Sequence, residues 1–536
     1  MPTAASQQFE EPVFLKQEVK MEPLACGWYA WPHLVAPMQL ALNIKFRYLP
    51  LMQSFISNPS VHAAAASDPK LFGGPFVTLT DSAVPSVKDL FNATLDRCSN
   101  LITLAQDWRD LDTLLQDKAN GYSLNEFYGK LPESLQGLIE CVYDINNHPA
   151  LRVFEELLHQ DDISAHTQEI YLAPISERDR CFFMNTPRLR TADSLTFRMK
   201  FSDRRLDALA ATRTTPRSCN ELASLFGLQG ADKETFGRLF TSTPPKAASN
   251  RDYAGDDVRV RYFGHACVLI QTSQTSILFD PMVAMEQHDD GRLSLHDLPD
   301  RIDHVVLTHC HQDHFCPEML LQLRHRIGRI VVPRNNGGAI SDPSMKLVLE
   351  QLGYENIDVM DPMDRIAVPD GEILSMPFAG EHCDLNIYTK HTIALSLKGR
   401  KFLFLIDSDG WDPVLYRRMM RRIQSVDAVF LGMECDGAPL NWLYEPLLTK
   451  PINRKNNESR RLSGADCERA WNVWKEIKAP RVFVYAMGQE PWMRHIMGLE
   501  YEPDSIQLQE SDKFVERVKQ AGAQAERLYN SRELTF

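Results

Sequence analysis

The hydrophobic pattern changes character near residue 250. Beyond it, apolar residues come in short runs and period-two alternations, which predict strands. VRVRYF (258–263), ACVLIQ (266–271) and SILFD (276–280) read as three strands joined by short turns, and HVVL (304–307) as a fourth. RIVV, IDVM, ILSMPF, TIALSL, FLFLI, AVFLGM and RVFVYA follow, with helical stretches near 343–352, 412–422 and 463–477. A strand cluster followed by strand–helix alternation predicts an α/β fold of packed sheets with helices outside. Before residue 241 helical spacing dominates. Leu101, Leu104, Trp108, Leu111 and Leu115 fall on one helix face, and Leu135, Leu138, Val142 and Ile145 are spaced for a second. One strand is expected where Leu195, Phe197, Met199 and Phe201 alternate with polar residues. This half reads as a mostly helical α+β unit.

The stretch 241–256, TSTPPKAASNRDYAGD, is rich in Pro, Ala, Ser and Asp and lacks periodicity, so it is expected to link two domains. Boundaries of 1–248 and 249–536 follow. A length of 536 residues also favours more than one core. The charge is −13, with 58 Lys and Arg against 71 Asp and Glu. That argues against nucleic acid or an anionic membrane as partner. No apolar run reaches the roughly 18 residues of a membrane span. The start, MPTAASQQFEEPVF, lacks the basic-then-apolar pattern of a secretory signal. Eleven scattered cysteines without a C-x-x-C pair read as reduced thiols, so a cytoplasmic protein is expected.

The chemistry is concentrated in LTHCHQDHF, directly after HVVL. His309, His311, Asp313 and His314 crowd into six residues. Neutral imidazoles beside a carboxylate are good ligands for divalent first-row metals. His309 and His311 can grip one ion while Asp313 and His314 face a second. A paired site needs a bridging carboxylate, and Asp407, ending the strand FLFLI in IDSDG, fits; Asp409 reads as a turn residue. In GEHCD, Glu381 and His382 are neighbours, and strand alternation would let one of them face the metals. His382 would make a zinc hydrolase site, Glu381 a carboxylate-rich site suited to iron.

H-x-H-x-D-H after an apolar strand resembles the signature of the metallo-β-lactamase superfamily, as do YFGHACVLI and ILFDP. The resemblance implies an αββα sandwich in which Asp280 supports the metal loop without ligating, and His265 reads as structural. The superfamily's hydrolases carry a further histidine after the last strand. Tyr485, Ala486 and Met487 stand there instead, and His495, further on, is a weak substitute. A missing protein ligand leaves an open coordination position.

A helical N-terminal half, HCHQDH, GEH and IDSDG in that order, and the absent last histidine together resemble the diiron β-hydroxylases of nonribosomal peptide synthesis, over nearly the whole chain. That resemblance implies six ligands, His309, His311, Asp313, His314, Glu381 and Asp407, with Glu381 and Asp407 at the catalytic centre. It implies two iron ions, O2 as co-substrate, an external reductant, and an amino acid (an aromatic one is favoured) held as a thioester on a peptidyl carrier domain. It also implies a homodimer. The competing reading is a zinc- or manganese-dependent hydrolase of the same fold. YRRMMRRI, with Arg417, Arg418, Arg421 and Arg422, and NRKNNESRR, with Arg454, Lys455, Arg460 and Arg461, are basic patches that a carrier could dock against.

Overall fold

The computed structural model describes residues 12–68, 71, 73–246 and 250–536. Residues 1–11, where no leader was expected, and 247–249 of the proposed linker lie outside them. The C-terminal part is built on two seven-stranded sheets. The first runs, edge to edge, Ile357–Met360, Ile327–Pro333, Ile302–Val306, Ser276–Phe279, Val268–Gln271, Arg259–Tyr262 and Arg532–Thr535. The second runs Arg365–Val368, Gly371–Met376, Thr392–Leu397, Arg400–Ile406, Ala428–Gly432, Arg481–Tyr485 and Gln524–Arg527. Each sheet is antiparallel at one side and parallel at the other.

Period-two alternation decides which face each residue covers. Val268, Ile270, Ile277 and Phe279 enter the core between the sheets, whereas Leu269 and Leu278 point to the opposite side. The inter-sheet core is closed by Phe279 stacked on Phe404 at 4.1 Å, with Phe430 stacked behind at 4.6 Å. Helices Pro413–Ile423, Cys467–Ile477 and Ile506–Gln520 cover the outer face of the second sheet. The outer face of the first sheet shares one apolar core with the N-terminal half, in which Trp28, Leu101 and Trp108 join Leu278, Val305 and Ile330. The N-terminal half thus packs directly on the sheet that carries the HCHQDH loop.

That half is mixed. Helices Leu49–Ser57, Val84–Arg97 and Ser99–Lys118 accompany a four-stranded sheet of Trp28–Tyr29, Val19–Ala25, Gln168–Pro174 and Leu195–Arg198. The expected face from Leu101 to Leu115 is buried as predicted. The expected helix from Leu135 to Ile145 is not formed. Ile139–Tyr143 is a strand paired with Pro149–Val153, and Ile145 is 96% exposed. Gly137, at φ +75°, breaks any helix there, and Ile139 and Cys141 are buried with a period of two. The strand begun at Leu195 ends at Arg198, although Met199 and Phe201 beyond it are still buried. All eleven cysteines are free thiols. No helix among the described residues is long and apolar enough to cross a membrane.

Candidate diiron site

The HCHQDH loop leaves the C-terminal end of Ile302–Val306, and hydrogen bonds set the orientation of its imidazoles. Asp280 accepts from the Thr308 amide at 2.8 Å, from the Thr308 hydroxyl at 2.6 Å and from His314 Nδ1 at 2.8 Å. His314 therefore turns Nε2 inward. The Thr308 hydroxyl, its proton given to Asp280, accepts from His309 Nδ1 at 3.1 Å, so His309 also turns Nε2 inward. His311 has Tyr444 at its Nε2, 3.2 Å away, and directs Nδ1 to Glu381 Oε2 at 2.8 Å. Such anchoring of the far ring nitrogen is how metal-ligating histidines are usually held.

The inward atoms converge. Asp407 Oδ2 lies 3.0 Å from His314 Nε2 and 3.5 Å from His309 Nε2, and Asp313 Oδ2 lies 3.4 Å from His314 Nε2. The ligand atoms of His309, His311 and Glu381 form one group within 4.8 Å, and those of His309, His314 and Asp407 form another. His309 Nε2, His314 Nε2 and Asp407 Oδ1 are buried and without hydrogen-bond partners. Buried polar atoms are rarely left so. Two orphaned imidazole nitrogens turned toward one buried carboxylate, with further carboxylates alongside, fit a pair of divalent metal ions.

The electrostatics agree. Burial opposes the negative charge of Asp313, yet His314 and the His265 hydrogen bond hold its carboxyl well below the usual range. Burial, with the neighbouring imidazoles adding to it, keeps His309 well below the ordinary value, so it presents a neutral lone pair. Asp407 is pushed up by burial and by Glu381 and Asp313, against the pull of His314. A cation between these acids would relieve that repulsion.

Glu381 and His382 are not on a strand, contrary to expectation; the strand ends at Met376. They sit in a turn in which residues 380–384 all have positive φ, from +56° to +97°. This turn, not strand alternation, sends Glu381 to His311. His382 instead lays its ring on that of His311, centroids 4.2 Å apart. Positive φ recurs around the site at His265, Asp280, Ile406 and Ala486. Each such residue costs on the order of 1–3 kcal/mol, and strain of this kind gathers at functional sites.

The other candidates are placed as follows. His265 accepts the Gly488 amide at Nδ1 (3.0 Å) and so donates from Nε2 to Asp313 (3.0 Å). It is a support, and the loop after the last strand serves to hold it. Asp409 caps the Trp411 amide at 3.2 Å, as a turn residue. His495 bonds the Trp492 carbonyl and packs on Tyr29, in none of the ligand groups. Arg417 pairs with Glu476 on an exposed helix face. Arg461 faces inward, pairing with Asp436 at 2.7 Å.

A cavity of about 300 Å³ opens onto His311, Asp313, Glu381 and Asp407. Its apolar wall includes Phe183, Trp442, Leu443, Ile496 and Met497, and Gly73 and Gly74 of the N-terminal half close it. Trp442 Nε1 donates to the Gly73 carbonyl at 2.7 Å, and a Cβ on Gly73 would stand 2.7 Å from the Trp442 ring, so a glycine is needed there. A second cavity, lined by Arg47, Ser54 and Asn185, adjoins the first across Gly73, Gly74 and Trp442. Sequence reasoning missed this wall and Tyr444, and no local signal marks them. It also missed Glu434, which lines the metal cavity. That signal was legible: Glu434 follows the apolar run AVFLGM as Asp407 follows FLFLI.

Residues 14–244 match the diiron non-heme β-hydroxylase N-terminal domain, and residues 275–441 a β-lactamase superfamily domain. The chain is 33% identical over 531 residues to the 4-amino-L-phenylalanyl-[CmlP-peptidyl-carrier-protein] 3-hydroxylase of Streptomyces venezuelae, covering 97% of this chain and 99% of that one. This chain belongs to the diiron non-heme β-hydroxylase family. The crystal structure of CmlA, a diiron β-hydroxylase from Streptomyces venezuelae, superposes with a TM-score of 0.91 at 31% identity, covering 98% of this chain and all of that one. A CmlA variant with a Glu-to-Asp substitution superposes at 0.89, with 32% identity and the same coverage. The β-hydroxylase is therefore an enzyme with a metallo-β-lactamase fold preceded by the family's N-terminal domain. Family membership displaces the zinc-hydrolase alternative.

Proposed function

We propose that this β-hydroxylase inserts one oxygen atom from O2 at the β-carbon of an amino acid tethered as a thioester to a peptidyl carrier domain, using an external reductant. His309, His311 and Glu381 would hold one iron, and Asp313 and His314 the other, with Asp407 between them. The observation that carries this reading is the convergence of orphaned His309 Nε2 and His314 Nε2 on the Asp407 carboxylate, which lines a cavity with one apolar wall. A bound iron pair supplies reductive O2 activation. The protein's own residues do the rest. Tyr444 and Asp280 fix the imidazoles, Phe183 and Trp442 exclude water and flank the substrate side chain, and the adjoining cavity seats the tether. The full-length relationship to a hydroxylase named for a carrier-bound aryl amino acid supports the substrate class. We place the domain division at 248/249, with the N-terminal unit covering the site, and infer a homodimer from the family resemblance and a cytoplasmic location from the unpaired thiols.

The test is mass spectrometry of carrier proteins loaded with candidate amino acids, after incubation with the iron-loaded enzyme, reductant and O2. Gain of one oxygen on a loaded carrier, with the free amino acid far slower, is expected. Hydrolysis of the thioester without oxygen gain, or activity restored by zinc alone after chelation, would overturn the reading. A companion pair tests the ligand set. Glu381→Ala should disturb the visible iron spectrum and lower iron content, whereas His382→Ala should keep both. The reverse result would assign His382 as the ligand.

A further inference from the structure

The metal cavity holds two carboxylates that the proposed ligand set does not use: Asp436, paired with Arg461, and Glu434. Glu434 projects into it from just beyond Ala428–Gly432, its backbone carbonyl fixed by the Gly464 amide at 2.8 Å. It belongs to none of the groups of converging ligand atoms. Among the described residues no cation forms an ion pair with it. Arg461, the basic residue in the same lining, is engaged by Asp436 and Glu458. The groups that act on Glu434 are Asp313, Asp407 and Glu381, with Tyr501 beside it. The Tyr501 hydroxyl, buried beside it, is placed to donate to that carboxylate. A carboxylate with a phenol hydroxyl beside it therefore stands at the edge of the cavity, next to the metal-facing acids. A buried carboxylate is costly unless paired, and Glu434 stands outside the proposed ligand set, so a cationic hydrogen-bond donor at the cavity edge would complete it.

The proposed substrate has one such donor in the right place. In a carrier-bound amino acid the carboxyl is consumed by the thioester, and the free α-ammonium is one carbon away from the β-carbon to be oxidised. With that β-carbon over the metals and the side chain against Phe183 and Trp442, the ammonium is confined to the acidic edge. We propose that Glu434, with Tyr501, binds the α-ammonium of the tethered aminoacyl group, and so sets which β C–H bond faces the metals. This rests on the function proposed above and extends it. The site selects α-amino acyl thioesters over desamino acyl thioesters of the same side chain.

The test compares carriers loaded with phenylalanyl and with 3-phenylpropionyl groups, turned over by the iron-loaded wild type and by Glu434→Gln. The wild type should favour the aminoacyl carrier in kcat/KM by about ten- to a hundredfold, the value of a charge-assisted hydrogen bond. Glu434→Gln should lose most of that preference by slowing on the aminoacyl carrier alone, with iron content and visible spectrum unchanged. Product analysis adds a second readout. The wild type should hydroxylate the aminoacyl group at one position, and the variant should give mixed regiochemistry or uncoupled O2 consumption. Loss of iron in Glu434→Gln would make the residue a metal ligand and overturn the inference, as would a preference that persists in the variant or is absent from the wild type. Should Glu434→Gln fail to fold, the wild-type preference together with Tyr501→Phe decides the matter by the same criteria. Wild type inactive on every loaded carrier would overturn the proposed function itself. Wild type active on both carriers alike overturns this inference alone.

Discussion

Asp407→Asn leaves a folded protein that no longer assembles its iron pair, and hydroxylation falls by more than about a hundredfold. Residues that merely support a metal ligand cost about 10–100-fold when replaced, and Asp407 is proposed to stand between both ions. Its Oδ2 faces His314 at 3.0 Å and His309 at 3.5 Å, and its Oδ1 is an orphaned buried acceptor. Gly432 on the neighbouring strand lies directly beneath: a Cβ there would come within 2.6 Å of Asp407 Oδ1, so the carboxylate has one place to be. The asparagine keeps the shape and removes the charge. Because burial and the neighbouring acids push the Asp407 carboxyl up, the metal-free variant should be no less stable than the metal-free wild type. Iron analysis, the visible spectrum and single-turnover rates measure the loss, and thermal denaturation of both apo proteins checks the stability. Full iron content with a normal rate would remove Asp407 from the site.

Arg180→Met destabilises the fold by about 3–5 kcal/mol, the cost of stranding a buried charge. Arg180 joins Glu22 of the N-terminal half, at 2.6 Å, to Glu318 of the helix that follows the metal loop, at 2.5 Å. All three side chains are almost completely buried. Glu22 retains Arg188 at 2.6 Å, but among the described residues the hydrogen bond left to Glu318 is that from neutral Tyr29 at 2.7 Å, with Arg213 acting on it only through space. Removing both partners of a buried pair is far cheaper than removing one, so Arg180→Met combined with Glu318→Met should recover much of the loss. Urea denaturation of the three proteins measures this. Equal stability of wild type and Arg180→Met would show the network to be ornamental. The pH dependence carries a sign. Burial alone would raise Glu22, but Arg188 and Arg180 hold it at about 2, against 4.5 for a free glutamate. The unfolded chain therefore takes up this proton first. The stability Glu22 contributes is complete above about pH 4.5 and is lost as the pH falls toward 2. In the Arg180→Met protein that acid dependence should weaken.

The reach of the sequence can be judged residue by residue. The HCHQDH run was legible because its ligands are local: four side chains on one loop after one apolar strand. Asp407 was legible because a carboxylate ending a buried strand has a defined place. Glu381 was expected for a wrong local reason, since a left-handed turn and not a strand presents it. Glu434 stood in a pattern already recognised for Asp407 and was overlooked. The stretch from Leu135 to Ile145 was misread because Leu, Val and Ile at helical spacing also suit a strand once Gly137 interrupts the chain.

What the sequence by itself determined is the chemistry and the class of scaffold: periodicity set the alternating strands and helices, and ligand density marked the metal loop. Both are local properties of the chain. Only the tertiary structure decided how the site is enclosed. The outer face of the first sheet carries apolar residues such as Leu278 and Val305, and the N-terminal half buries them in a shared core. That packing brings Gly73, Gly74 and Phe183 over a metal loop more than a hundred residues away, and places Tyr444 at His311 and His265 at Asp313. Such contacts depend on side-chain volume and on strand order across two sheets. Neither is written in any window of sequence short enough to show a period.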